Sequence, residues 1–266
     1  MEVKGIIFDW AGTVVDYGCM APTKVFIEVF KDKGISITME EARAPMGQAK
    51  KDHLRALMEL ESVRAQWQSA HKNFPSEDDL NELYEQLEPK LAAIVEQFSE
   101  VIPGVVEFCE EMKAQGLQLG STTGYVMSMM EKIIPLAKAQ GFCPDAIVTS
   151  SDKVGGRPYP WMMYENAERL GLFPPSSVVK IGDTVADIKE GLNAGAWTIG
   201  LTTCGNEVGL SMDEVRMIPP DDLKEKIRIA TQKLESAGAH YVVESVAECR
   251  SVIADINRRI LNGEKP

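Results

Sequence analysis

The sequence contains no apolar run long enough to cross a membrane as a helix. Such a helix needs about 18 or more consecutive apolar residues, and every apolar run in the 266 residues is much shorter. The N-terminal stretch MEVKGIIFDW carries one lysine and a short apolar segment that polar residues soon interrupt. We therefore expect neither a transmembrane segment nor a signal peptide.

Paired cysteines are also missing. The five cysteines are odd in number, widely scattered and never arranged as C-x-x-C. Disulfide frameworks and structural zinc sites usually need paired, regularly spaced cysteines. We therefore expect free thiols in a reducing compartment and a cytoplasmic protein.

Positive charge is scarce. The 28 lysines and arginines are outnumbered by 40 aspartates and glutamates, which gives a net charge of −12. Because nucleic acids and anionic membranes attract basic surfaces, we expect neither as a partner. An anionic small-molecule substrate would need a local group of positive side chains within its site.

What the sequence does contain is a repeated alternation of short apolar runs with amphipathic helical patterns. The runs end in small or polar residues: VKGIIFD, LQLGSTT, AIVTSSD, VVKIGD and WTIGLTT. Helical patterns such as GVVEFCEEMKAQG and DIKEGLNAG separate them and finish at glycine, a common helix terminator. This alternation predicts an α/β fold with a doubly wound, Rossmann-like parallel sheet covered by helices on both faces.

Residues 20–99 interrupt this alternation, because they contain helical runs and no convincing strand. Two of the runs begin with capping-box patterns: Thr38 with Glu41, and Ser76 with Asp79. We predict a helical cap domain over residues 20–99, inserted into a core of residues 1–19 and 100–266. The insertion follows the first strand at the carboxyl edge of the sheet, where open parallel sheets bind ligands.

Polar residues stand at or after several of the predicted strands. They are Asp9 after the first strand, Thr123 at the end of the second, Arg157 after the third, and Asp183 and Asp187 after the fourth. Because the carboxyl ends of parallel strands share one edge, we expect these side chains to converge. Carboxylates can hold Mg²⁺ or attack phosphorus, while a hydroxyl and a guanidinium can hold phosphoryl oxygens. A single such residue is more often a turn or cap residue. The prediction of a site therefore depends on finding such residues at or after four strands of the same sheet.

Four segments resemble the motifs of the haloacid dehalogenase superfamily over residues 3–200. The segments are FDWAGT, STTG, GRP and GDTVAD. The resemblance implies a Mg²⁺-dependent enzyme with a C1-type cap. The residues it implies are Asp9 as nucleophile and metal ligand, Asp183 as metal ligand, Asp187 as support for the metal site, and Thr123 and Arg157 as phosphoryl-binding residues.

Ala11 stands where phosphatases and mutases of this superfamily usually carry a second aspartate. That aspartate protonates the leaving oxygen of a phosphate ester, which alanine cannot do, so an ordinary phosphomonoesterase is disfavoured. The backbone carbonyl of Ala11 can still bind Mg²⁺. A leaving carbon, as in a phosphonate, needs an electron sink instead, and a carbonyl condensed with a lysine amine supplies one.

Lys50, in the segment APMGQAKKDHLRAL, is the candidate for that amine. Helical spacing places Met46, Lys50, His53 and Leu54 on one face. His53 can move protons there during imine formation. Lys51 and Arg55 share another, solvated face, and we expect their charges and the helix dipole to lower the pKa of Lys50.

The same segment resembles the M-G-x-x-K-x-x-H pattern of the phosphonoacetaldehyde hydrolases, and DYGC, STTGY and GRPYPW extend that resemblance over nearly the whole chain. It implies a Schiff base on Lys50, with acetaldehyde and phosphate as products of a small phosphonate substrate. It places Cys19 and Met46 in the pocket. It also implies a homodimer formed through the cap and a place in 2-aminoethylphosphonate degradation.

Two other functions stay open from the residues themselves. One is a dehalogenase or an atypical phosphatase, and the other is a non-catalytic protein that binds a metabolite. A lysine pair at a helix start is often a solvent-facing charge cluster, and a lone histidine is usually structural. Phosphate release from phosphonoacetaldehyde with and without Mg²⁺ separates these functions.

Overall fold

A computed structural model describes residues 2–150 and 155–266. In these ranges one six-stranded sheet has the order β3-β2-β1-β4-β5-β6, and all neighbouring strands are parallel. The strands are β1 Gly5–Phe8, β2 Gln118–Thr123, β3 Ala146–Thr149, β4 Val178–Gly182, β5 Trp197–Leu201 and β6 Tyr241–Val243. The predicted fold class, a doubly wound parallel sheet with an inserted helical cap, is confirmed. The last two residues of the predicted strand run AIVTSSD lie outside the described residues.

Helices connect the strands and cover the sheet. They are α1 Met20–Asp32, α2 Met39–Arg43, α3 Lys50–Met58, α4 Glu61–His71, α5 Glu77–Ile94, α6 Val105–Ala114, α7 Met127–Ala139, α8 Trp161–Leu170, α9 Val185–Ala194, α10 Met212–Met217, α11 Pro220–Ser236 and α12 Cys249–Leu261. Across the two described ranges, none of these helices combines the length and the apolar character that spanning a membrane requires. All five cysteines are free thiols, as the sequence predicts.

Residues 20–99, named the helical insertion below, contain α1 to α5 and no strand. Both predicted capping boxes are present, because the side chains of Thr38 and Ser76 accept hydrogen bonds at the starts of α2 and α5. The long run KKDHLRALMELESVRAQWQSAHKN forms two helices, α3 and α4, rather than one.

One predicted helical face needs correction. Helix α3 begins at Lys50, so Met46 lies in the turn before the helix. Gly47 in that turn has φ 87°, outside the helical region, which prevents a continuous helix through the segment. The shared face therefore holds for Lys50, His53 and Leu54, which are all buried.

The central strand β1 is buried on both faces, which explains its uninterrupted apolar sequence. Ile6 and Phe8 belong to the larger hydrophobic cluster, while Ile7 belongs to a second cluster on the other face, with Met163 and Leu172. The larger cluster continues into the helical insertion. The hydrophobic core is therefore continuous between the insertion and the sheet.

Candidate active site

The carboxyl edge of the sheet brings the predicted polar residues together. Asp9 follows β1, Thr123 ends β2 and Asp183 follows β4, and all three side chains are buried. Arg157 approaches from the loop before α8, and its Nη2 donates to Asp9 Oδ1 at 2.7 Å. Asp9, Thr123 and Arg157 line one cavity of about 20 Å³.

Three carboxylates form an acidic centre that suits a metal ion. Asp9, Asp183 and Asp187 each offer an oxygen within 4.8 Å of the others. Asp183 is held by neutral donors, since the Thr13 hydroxyl donates to Oδ1 at 3.1 Å and the Asn206 backbone N–H donates to Oδ2 at 2.7 Å. Burial, with the charges of Asp9 and Asp187, raises the pKa of Asp183 well above its ordinary value. A cation would offset this repulsion, and an all-oxygen donor set fits Mg²⁺.

Arg157 is the centre of a buried ion-pair network. Its Nη1 lies 3.1 Å from Asp187 Oδ1 and its Nε lies 3.0 Å from Glu190 Oε2. Lys180 in β4 lies 3.1 Å from the same two oxygens. Burial alone would raise the pKa of Asp187, but Arg157 and Lys180 outweigh it and hold that pKa below its ordinary value.

Three members of this network, Thr122, Lys180 and Glu190, have no role assigned from the sequence, although Thr122 is recognised beside Thr123 at the end of the second strand. The Thr122 hydroxyl accepts hydrogen bonds from Lys180 and Arg157 at 2.6 and 2.9 Å, and it donates to Glu190 at 3.0 Å. Thr122 thus faces the network while Thr123 faces the cavity, as expected of neighbours on a strand. The sequence does contain a signal for this pairing. Lys180 lies inside the apolar strand VVKIG and Glu190 lies on the buried face of α9, and a buried charged side chain needs a partner of opposite charge.

Lys50 reaches the same cavity from the helical insertion. It is the first residue of α3 and is 5% exposed, and its Nζ lies 5.6 and 5.0 Å from the ring centroids of Phe26 and Tyr125. Burial is the main cause that lowers the pKa of Lys50. Lys51 instead bonds within the insertion, donating to Asn81 Oδ1 at 2.6 Å.

His53 is buried one turn after Lys50. Its ring stacks on Phe26 at 3.7 Å between centroids, and its Nε2 lies 2.9 Å from the Ala42 carbonyl oxygen. Because a carbonyl only accepts, Nε2 carries the proton, and Nδ1 is left without a hydrogen-bond partner among the described residues. Burial, and then the charge of Lys50, lower the pKa of His53 well below its ordinary value, so the ring is neutral. Its proton-transfer role stays a prediction.

The remaining wall of the cavity includes Ala11, Cys19, Met46 and Tyr125. Burial raises the pKa of the Cys19 thiol well above its ordinary value, so Cys19 is present as a thiol. Ala11 lies on the same wall as Asp9. The cavity thus collects all the residues predicted for catalysis and substrate binding except His53.

The chain is similar to proteins of known family. A family model described as haloacid dehalogenase-like hydrolase matches residues 3–195, and a HAD-hydrolase-like model matches residues 154–249. A phosphonoacetaldehyde hydrolase-like protein from Syntrophobacter fumaroxidans is 48% identical over 264 residues, which are 99% of this chain and 95% of that protein.

Two further similarities concern a longer protein and a solved structure. A bifunctional phosphonoacetaldehyde hydrolase/aminoethylphosphonate transaminase from Clostridioides difficile is 46% identical over 263 residues, which are 99% of this chain and 41% of that protein. The crystal structure of a phosphonoacetaldehyde hydrolase-like protein from Oleispira antarctica matches with a TM-score of 0.98 at 40% identity. That match covers 100% of this chain and 96% of the solved one.

Proposed function

The chain belongs to the haloacid dehalogenase-like hydrolases, in the family of the phosphonoacetaldehyde hydrolases, and from that premise we propose that it hydrolyses the C–P bond of phosphonoacetaldehyde. The products are acetaldehyde and phosphate. The observation that carries the proposal is that Lys50 of the insertion and Asp9, which follows β1, line one cavity. An amine can activate the aldehyde end of this substrate while a carboxylate attacks its phosphorus.

The first proposed step forms a Schiff base on Lys50. The neutral amine attacks the aldehyde carbon, and loss of water with uptake of a proton gives a protonated imine. The lowered pKa of Lys50 increases the fraction of neutral amine near neutral pH. The unpaired Nδ1 of neutral His53 offers an acceptor for a proton at this stage.

The second proposed step breaks the C–P bond. The Asp9 carboxylate attacks phosphorus to form an aspartyl-phosphate, and the electrons of the C–P bond move into the imine to give an enamine. Arg157 orients Asp9 through the 2.7 Å hydrogen bond, and Thr123 and Arg157 are proposed to hold the phosphoryl oxygens. Protonation and hydrolysis of the enamine release acetaldehyde, and water hydrolyses the aspartyl-phosphate.

The proposed cofactor is Mg²⁺, held by Asp9, Asp183 and the backbone carbonyl of Ala11, with Asp187 in support. When bound, the ion neutralises charge on the phosphoryl oxygens. The buried charges favour a divalent cation, because the hydrogen-bond donors to Asp183 are neutral while the charges of Asp9 and Asp187 repel its carboxylate.

The helical insertion is proposed to act as a cap, residues 20–99, that opens from the core of residues 1–19 and 100–266. A cavity of about 20 Å³ holds little more than one water molecule, so a substrate needs the cap to open before it can enter. We also propose a homodimer formed through the cap and a cytoplasmic location, which the free thiols favour.

The proposed place of the reaction is 2-aminoethylphosphonate degradation. The relative from Clostridioides difficile joins a phosphonoacetaldehyde hydrolase to an aminoethylphosphonate transaminase. A transaminase acting on an aminoethylphosphonate yields an aldehyde next to the phosphonomethyl carbon, which is the substrate proposed here.

Phosphate release from phosphonoacetaldehyde, with Mg²⁺ and after chelation, tests the proposal. We expect release with Mg²⁺ and its loss on chelation. Binding without release would instead indicate a metabolite-binding protein, and release from simple phosphate esters alone would indicate an atypical phosphatase. Halide release from a haloacid without a metal would indicate a dehalogenase.

A further inference from the structure

Outside the cavity, a chain of hydrogen bonds connects the helical insertion to Asp183 through Asn206. Arg43, the last residue of α2, donates from Nη1 to the Gly18 carbonyl oxygen at 2.7 Å and to Asn206 Oδ1 at 3.2 Å. The Asn206 Nδ2 donates in return to the Arg43 carbonyl oxygen at 3.2 Å. The backbone N–H of the same asparagine donates to Asp183 Oδ2 at 2.7 Å.

The loop of residues 205–209 packs closely against both Arg43 and Asp183. Gly209 has φ 67°, and a β carbon there would lie 2.8 Å from Arg43 Cζ. A β carbon on Gly205 would lie 2.5 Å from the Cβ of Asp183. Two glycines therefore allow one short loop to touch the guanidinium on one side and the carboxylate residue on the other.

We propose that Arg43 and Asn206 form a latch that couples docking of the helical insertion to the orientation of the Asp183 carboxylate. This inference rests on the proposed function, because Asp183 matters there as a metal ligand. Arg43 is a positioning residue, since it acts on Asp183 through Asn206 and does not line the cavity of the reacting groups.

The coupling follows from the shared asparagine. When the insertion lifts away, Asn206 loses its hydrogen bonds with Arg43, and the loop that presents its N–H to Asp183 loses a fixed support. When the insertion is docked, both oxygens of Asp183 have a fixed donor. Since coupling between two events is reciprocal, cation binding at Asp183 favours docking as much as docking favours cation binding.

The geometry of the latch requires arginine. The guanidinium is a planar fork that bonds Gly18 and Asn206 while resting against Gly209, whereas a lysine ammonium is a point charge without that plane. Arg43→Lys is therefore expected to behave like Arg43→Met. Wild-type behaviour of the lysine variant would show that charge alone acts, and it would overturn the latch.

Hydrogen exchange measured by mass spectrometry, and Mg²⁺ binding measured by calorimetry, test the latch without requiring turnover. The variants are Arg43→Met, Asn206→Ala and the double variant. The control is Arg55→Met, which removes an exposed arginine of α3 that pairs with Asp52 and Glu77.

We expect Arg43→Met to speed exchange in residues 205–209 and to weaken Mg²⁺ binding, each about tenfold, in the range usual for coupled sites. Asn206→Ala should do the same. The effects of the double variant should be much smaller than the product of the two single effects, because both substitutions remove the hydrogen bond between the Arg43 guanidinium and Asn206. Arg55→Met should match the wild type. Equal behaviour of Arg43→Met and Arg55→Met, or multiplied effects in the double variant, would overturn the latch.

The two proposals fail in different ways. Wild-type protein that releases no phosphate, yet shows exchange and Mg²⁺ binding that depend on Arg43, refutes the proposed function and retains the coupling. If the wild-type protein is active but Arg43→Met changes neither hydrogen exchange nor Mg²⁺ binding, the proposed function is retained and the coupling is refuted. Because Asn206→Ala breaks the latch from the core side, a misfolded Arg43 variant would not prevent the test.

Discussion

At the scale of single residues, Ala11 shares the cavity wall with Asp9 in a space of about 20 Å³. We expect Ala11→Asp to lower phosphate release from phosphonoacetaldehyde by about 100-fold or more, because a further carboxylate would repel Asp9 and the anionic substrate. A phosphate assay against this substrate and a simple phosphate ester measures the change. Ala11→Ser adds a polar group without charge and is the matched control. Unchanged C–P hydrolysis in Ala11→Asp would refute this reading of the position.

Lys50 carries the second residue-scale prediction. Lys50→Arg should keep the fold and abolish turnover, because a guanidinium does not lose its proton and cannot form an imine. Lys51→Arg, whose parent side chain bonds to Asn81 within the insertion, should change activity little. Borohydride added with phosphonoacetaldehyde should fix an adduct on the peptide that contains Lys50. Full activity after that treatment, or an adduct on Lys51, would refute the imine step.

The sequence predicts that the pKa of Lys50 is lowered, but it does not predict the main cause of that shift. Lys51 and Arg55 are the cations that the sequence places nearby, yet burial dominates and Arg157 is the cation that contributes. Burial of the first residue of α3 depends on how the insertion meets the sheet, and no local pattern encodes that. Lys180 and Glu190 escaped notice for the same reason, since their pairing crosses from β4 to α9.

At the scale of elements, β4 and α9 are joined by the buried pair Lys180 and Glu190. Lys180→Met should lower the free energy of unfolding by about 3–5 kcal/mol, because it leaves buried carboxylates without one of their cations. Urea unfolding measures the loss. The double variant Lys180→Met/Glu190→Leu should be less destabilised than Lys180→Met, since the pair is removed together. A double variant less stable than the single one would contradict this account.

The start of α1 carries a pH-dependent prediction. Asp16 accepts hydrogen bonds from the backbone N–H groups of Met20 and Ala21, and burial raises its pKa to about 7. The folded protein therefore keeps a proton that unfolded aspartate loses near pH 4. The contribution of Asp16 to the free energy of unfolding must then fall as the pH rises from about 4 to about 7.

Urea unfolding at pH 5 and pH 8 checks this sign. The stability of the wild type relative to Asp16→Asn should decrease from pH 5 to pH 8, because asparagine does not titrate. Asp52→Asn, at an exposed position of α3, controls for general effects of removing an acidic group. A relative stability of Asp16→Asn that is the same at both pH values would contradict the raised pKa.

At the scale of the whole molecule, the assembly can be tested directly. Light scattering should give twice the 29.3 kDa mass of one chain. Cross-linking of a mixture of isotopically light and heavy chains should then join lysines of residues 20–99 in two different copies. A monomer would contradict the dimer, and cross-links confined to the core would contradict its proposed location.

The fold class and the place of the insertion could be read from the sequence, because buried parallel strands and amphipathic helices have different periods. The convergence of Asp9, Arg157 and Asp183 could be read as well, since parallel strands share their carboxyl edge. The contact between Arg43 and Asn206 could not, because it joins residues 163 positions apart in the sequence and depends on how the insertion packs on the core. The break between α3 and α4 was equally hidden in one continuous helical pattern.

Arg157 has a consequence for how the site can change over evolutionary time. In many enzymes, removing a charged site residue stabilises the fold, so selection for activity alone retains it. Here Arg157 links β1, β2 and α9 through Asp9, Thr122, Asp187 and Glu190, and its loss would leave buried carboxylates repelling one another. Selection for a stable fold therefore retains Arg157 even without selection for activity. In a descendant that no longer catalyses the reaction, we expect Lys50 to be substituted long before Arg157.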